Sequence, residues 1–152
     1  MPDASGWRRD ARETQSWVAL HRATQSRLIA RAWQHDAVAR IADCERQARL
    51  WRSDLPELDS SQLVEARELT LAGVYSGQIR VGVAASGADG MRGDVLAFGG
   101  YGRDCLMLAF TTQAAGPGAA RVVAERLSVF SELVFERARR LNIGARVVVP
   151  RL

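Results

Sequence analysis

The sequence predicts an α+β domain: a long N-terminal helix, a four-stranded antiparallel meander, a C-terminal helix packed on that sheet and a short final strand. Three observations predict it. Between Trp7 and Leu55 there is neither glycine nor proline, and the segment is rich in Ala, Arg, Gln, Leu and Glu, all good helix formers. From Leu69 the apolar residues alternate instead of recurring every three or four, and glycines punctuate the runs. After Gly116-Pro117-Gly118 the helical spacing returns.

Residues 1–12 read as a flexible N-terminus. The first helix is placed at Glu13 to Arg52, with Pro56 ending it. Its apolar stripe is Ile29, Trp33, Ala37, Ile41, Cys44, Ala48, Trp51 and Leu55, at steps of four and three; Trp17, Leu20, Thr24 and Leu28 continue it more weakly. Such a helix would be about 60 Å long, whereas a chain of 152 residues makes a globule roughly 40 Å across. It must overhang, break or pair with another chain. Breaks are expected near Thr24-Gln25-Ser26 or Gln34-His35-Asp36.

Ser53 to Gln62, with Pro56 and Asp59-Ser60-Ser61, reads as the connector, and a short helical turn is expected at Ser61 to Ala66. Leu69 to Tyr75 and Ile79 to Ala85 alternate about Ser76-Gly77, a hairpin signal because Gly tolerates the positive φ of tight turns. Ser86 to Gly93 is a glycine-rich loop, Asp94 to Gly99 the third strand, Gly100 to Asp104 a turn and Cys105 to Thr112 the fourth strand. The second helix covers Ala119 to Leu141, with Val123, Leu127, Phe130, Val134, Ala138 and Leu141 as its stripe; Asn142 and Gly144 stop it. Ala145 to Val149 is the last strand, before Pro150. Segments 13–55 and 56–152 are expected to form a single domain. Cys105-Leu-Met-Leu-Ala-Phe110 is apolar on both faces, so each face of that strand needs a cover. The C-terminal helix supplies one; the N-terminal helix, from this chain or a second subunit, is the candidate for the other.

Composition narrows function more by exclusion. All 21 basic residues are arginine, set against 17 acids, for a net charge of +4 and a pI near 10. Arginine forks fit phosphate, but the charges are spread over both halves of the chain, which reads as coding bias in a GC-rich bacterial genome. The densest group, Arg137, Arg139, Arg140, Arg146 and Arg151, has few aromatics among it and Glu132 and Glu136 nearby, so nucleic-acid binding is disfavoured. Cys44 and Cys105 form no C-x-x-C and read as small core hydrophobes, with neither a disulfide nor a zinc site expected. His21 and His35 would lie about 21 Å apart on one helix, too far to share a metal. No nucleophile motif is present, and no catalytic residue, metal or cofactor is assigned. Gly116-Pro-Gly-Ala-Ala-Arg121 precedes a helix but lacks the phosphate-loop pattern. Asp94 and Asp104, and Glu132 with Glu136, form no specific acid–base pair. There is no signal-like apolar segment and no membrane span, so the expected location is the cytoplasm, with export lacking a cleaved signal left open.

These readings favour a non-enzymatic interaction module, an adaptor, chaperone-like or assembly subunit. It would associate as a homodimer or with a protein partner through Ile29, Trp33, Ile41 and Trp51 and the apolar sheet. The alternative is a small-ligand site or modest enzyme at the sheet loops, using Tyr75, Tyr101, Arg103, Asp104 and Arg121. A basic nucleic-acid binder or RNase-like toxin domain is the third.

Overall fold

The computed structural model describes residues 5–59, 62–71 and 75–148, with backbone only at 69–71, 75 and 137–148. Its elements are β1 (Trp7–Arg9), β2 (Trp17–His21), a 3-10 turn (Arg22–Thr24), β3 (Ser26–Gln34), α1 (Ile41–Trp51), β4 (Leu63–Leu71), β5 (Tyr75–Ser86), β6 (Gly90–Tyr101), β7 (Asp104–Ala115) and α2 (Ala119–Val148). The strands make one seven-stranded antiparallel sheet in the order β1-β2-β3-β7-β6-β5-β4. The class remains α+β, but the predicted architecture does not hold.

The long first helix is replaced by β2, the 3-10 turn, β3 and α1, and Trp7–Arg9 of the expected flexible terminus is a strand paired with β2. The reason lies in the spacing. A step of four puts Ile29 and Trp33 on one side of a helix, and equally on one side of a strand. In β3, neighbours go to opposite faces: Leu28 joins the core on one side and Ile29 the core on the other. The lower part of the stripe is truly helical, since Cys44 and Ala48 are the buried residues of α1. Propensity without partners is a weak guide, and cross-strand pairing overrides it here. The chain turns without glycine because Gln25 itself takes φ 47°, in the left-handed region. Both expected break points, around Gln25 and His35, are therefore real turns, between strands and before α1.

Three further readings change. Leu63 to Ala66 lies in β4, not in a helical turn; Ser61 is outside the described residues. Ser76-Gly77 lies inside β5, and the hairpin closes at the Leu71–Tyr75 pair. The predicted final strand is helix as far as Val148, with Val149 and Pro150 outside the described residues. Gly144 costs a helix about 1 kcal/mol without stopping it.

The two-sided apolarity of β7 has the expected cause. On one face Cys105, Met107 and Ala109 pack with Leu96, Phe98, Val18 and Ile29 beneath Cys44 and Ala48 of α1. On the other, Phe110, Val95, Val81 and Leu28 pack beneath Val123, Leu127 and Phe130 of α2. Phe110 stacks on Phe130 at 4.3 Å. The helix comes so close that a Cβ on Gly93 would sit 2.5 Å from Val123 Cγ1. A disulfide joins Cys44 of α1 to Cys105 of β7, with Cα atoms 5.7 Å apart, so the cysteines are a covalent staple and not the separate thiols read from the sequence.

Candidate functional site

Helix α1 has eleven residues and is about 16 Å long, while each twelve-residue strand beneath it runs to roughly 40 Å. The helix cannot cover its face of the sheet, and the uncovered part has a different chemistry. Along that face the rung Ile29–Ala109–Leu96 is apolar. The next same-face rung, about 7 Å on, is Arg27–Thr111–Asp94, and the one after holds Gln113–Arg92–Ala84. The change from core to polar cluster takes one rung.

The connector after α1 folds over this polar region and leaves a cleft of about 490 Å³. Its wall is Ser53 to Glu57 with Gln62; its floor includes Ala84, Arg92, Asp94 and Gln113. The wall is anchored at both ends. Leu55 is buried in the α1-side core, and Arg49 Nη2 donates to the Pro56 carbonyl at 3.1 Å. Asp54 accepts from Arg52 (2.9 Å) and pairs with Arg27 of β3 (2.8 Å), and Arg52 also holds Glu13 (3.2 Å). The Arg52 hydrogen bonds, with Arg27 adding, outweigh partial burial and hold the Asp54 carboxyl down to about 2. The same contacts push the Arg52 guanidinium up.

On the floor, buried Asp94 accepts from Thr111 Oγ1 at 2.7 Å and from Arg92 Nε and Nη2 at about 3.1 Å. Two fixed donors thus orient the carboxylate, and it in turn holds the guanidinium flat by one edge. Arg92 is 39% exposed, and its Nη1 makes no protein hydrogen bond among the described residues. Among the described residues the lining has no histidine and no cysteine. Among the described residues no group of three or more His, Cys, Asp or Glu is placed to hold a metal.

Of the residues expected to form a ligand site, Tyr75, Tyr101, Arg103 and Asp104 lie at one end of the sheet and Arg121 at the other. Tyr101, Arg103 and Asp104 share the β6–β7 hairpin, where Arg103 Nε donates to the His35 carbonyl and Gln34 Nε2 to Asp104. Tyr75 begins β5 at that same end of the sheet, its side chain outside the described residues. Arg121 lies in the first turn of α2, beyond the far end of β7 and roughly 40 Å away. Of the expected interface residues, Ile29 is buried, Trp33 and Ile41 pack partly buried against the α1-side core, and Trp33 Nε1 donates to Gln47. Trp51 is part exposed, with Trp33 against its ring and Arg31 over it at 3.8 Å. His21 and His35 cap local turns, each accepting a backbone N–H at Nδ1. Of the terminal arginine group, 137–146 have backbone only and Arg151 lies outside the described residues.

The cleft residues were missed by the sequence reading, although one signal was present. Arg92 and Asp94, and Thr111 and Gln113, are polar residues two positions apart in strands whose middle stretches are apolar. Among the described residues no helix is long and apolar enough to cross a membrane. No protein-family model matches the chain, and no curated protein matches it.

Proposed function

We propose that the protein is a non-enzymatic binding domain that takes a small polar ligand in the cleft between the Ser53–Glu57 wall and the Arg92–Asp94–Gln113 floor. The observation that carries this reading is the cleft itself, about 490 Å³ of space lined by pre-oriented polar groups on a rigid sheet. A site built on strands and pinned by ion pairs pays little ordering entropy when it binds. The Cys44–Cys105 disulfide argues for an oxidising compartment, contrary to the cytoplasm expected from the sequence. The arginine-rich surface gives less support to phosphate binding, since at least nine of the described arginines pair with carboxylates of this chain.

The test is a thermal-shift screen of polar small molecules against the chain and against Ala84→Phe, which fills the floor. Ligands that stabilise the first and not the second support the reading. Ligands that stabilise both equally, or none that stabilise either, refute it.

Self-association remains a second reading, now favoured by one feature: Leu50 (80% exposed) and Trp51 (38% exposed) are adjacent apolar residues at the end of α1. Light scattering at micromolar concentration decides it, because a monomer excludes a functional dimer through this patch.

A further inference from the structure

We infer that the ligand of the cleft is a zwitterion of amino-acid to dipeptide size, its carboxylate on Arg92 and its ammonium on Glu57; this rests on the cleft being a binding site. Arg92 Nη1 is a donor, and Glu57 a carboxylate, that the lining leaves without a partner among the described residues. Asp94 is fully engaged by Thr111 and Arg92, and Asp54 by Arg52 and Arg27. Arg92, held by its Nε and Nη2 edge, has Nη1 left over to donate into the cleft. That arrangement, a buried carboxylate fixing a guanidinium whose other nitrogen is unused, presents a directed donor to an incoming carboxylate. Glu57, on the opposing wall, is exposed and makes no ion pair or hydrogen bond among the described residues.

Charge counting excludes the simpler ligands. Asp54 is matched by Arg52 and Arg27, and Asp94 by Arg92, which leaves Glu57 as the one lining charge without a partner among the described residues. A simple anion would meet Glu57 with like charge, and a simple cation would leave Arg92 Nη1 without an acceptor. A molecule with both signs satisfies both walls. Gln113, beside Arg92 in the cross-strand register, has no side-chain hydrogen bond among the described residues and can donate to the same carboxylate or accept from a peptide N–H.

The experiment is titration of the isotope-labelled chain with alanine and alanyl-alanine, following the backbone amides of Ser86, Arg92 and Gln113. Concentrations reach about 10 mM, well above a weak Kd of about 1 mM. N-acetyl-alanyl-alanine, alanyl-alanine amide and glucose are titrated in parallel. Saturable shifts with a free zwitterion, weakened about tenfold by blocking either end, are expected. Glu57→Gln, at an exposed residue with no partner among the described residues, should weaken binding by about tenfold with the thermal midpoint unchanged. Arg92→Lys should weaken it similarly and identifies the carboxylate end even if Arg92→Gln fails to fold. If a blocked peptide or glucose shifts these amides as strongly as the zwitterion, the zwitterion inference is overturned while the cleft stays a binding site. If none of the probes shifts them, the inference is overturned; the thermal-shift screen then judges the cleft separately.

Discussion

Removing the disulfide tests the fold where it departs most from the sequence reading. In the double variant Cys44→Ala/Cys105→Ala the helix and the sheet lose their covalent link while the core keeps its apolar character. The bridge closes a loop of 61 residues. The loop-entropy relation then gives about 14 cal/mol/K, or about 4 kcal/mol at 25 °C, of lost destabilisation of the unfolded chain. For a chain of this size each kcal/mol moves the midpoint by about 2–4 °C, so Tm should drop by about 8–16 °C. Guanidinium unfolding followed by tryptophan fluorescence is the suitable assay, since Trp33 and Trp51 pack against each other over α1 and the sheet. Because the relief is of a constraint on the unfolded chain, the slope m should rise as the midpoint falls. Two thiols open to alkylation in unfolded, unreduced protein would refute the bridge. A loss of stability with no change in m would refute the entropic account of it.

Other perturbations follow from the packing and the ion pairs. Gly93→Val places methyl groups where Val123 and Leu127 lie within 3 Å of a Cβ, and should cost about 2–3 kcal/mol by urea unfolding. Phe110→Ala empties the centre of the α2-side core and the stack on Phe130, and should cost about 3–5 kcal/mol by the same measurement. Asp54 has a folded-state pKa below its unfolded value, so its contribution is present above about pH 4 and is lost as pH falls toward 2. Solvent screening at this part-exposed site limits it to about 1 kcal/mol. Asp54→Asn should therefore flatten the stability profile across that window, and an unchanged acid limb would show that Arg27 and Arg52 do not hold the carboxylate.

What could be read from the sequence depended on whether one pattern fits one structure only. The strands at Asp94–Gly99 and Cys105–Thr112 and the start of α2 were legible because glycines sit at the turns, Gly102 and Gly116 at φ 58° and 82°, and because Val123, Leu127 and Phe130 repeat at a spacing no strand face shares; the loop read at Ser86–Gly93 was not, since β6 starts at Gly90. Residues 17–34 were not, because Ile29 and Trp33 satisfy both periods and Gln25 makes a left-handed turn that glycine normally marks. The disulfide left no mark, since bridged cysteines 61 residues apart read the same as two buried thiols. The cleft was illegible for a further reason. Arg92, Asp94, Thr111 and Gln113 come from two strands, and their opposing wall comes from a connector some forty positions earlier, so only the register brings them together.

That register also sets an order of events during synthesis. Strand β3 lies in the middle of the sheet, yet its partner on one side is β7, and the rungs joining them link residues 70 or more positions apart. The β4–β7 meander can zip through local hairpins, whereas the β3–β7 seam has to close a long loop before any of its contacts form. At translation speeds of about 5–20 residues per second, β3 waits roughly 4–17 s before the matching part of β7 has been made. Throughout that wait the β1–β3 unit shows a bare, largely apolar edge, Leu28 to Trp33, to every other nascent chain nearby. Crowded expression should therefore punish this protein at one strand, and slowing β1–β3 pairing or sequestering that edge should raise its yield more than strengthening the finished core.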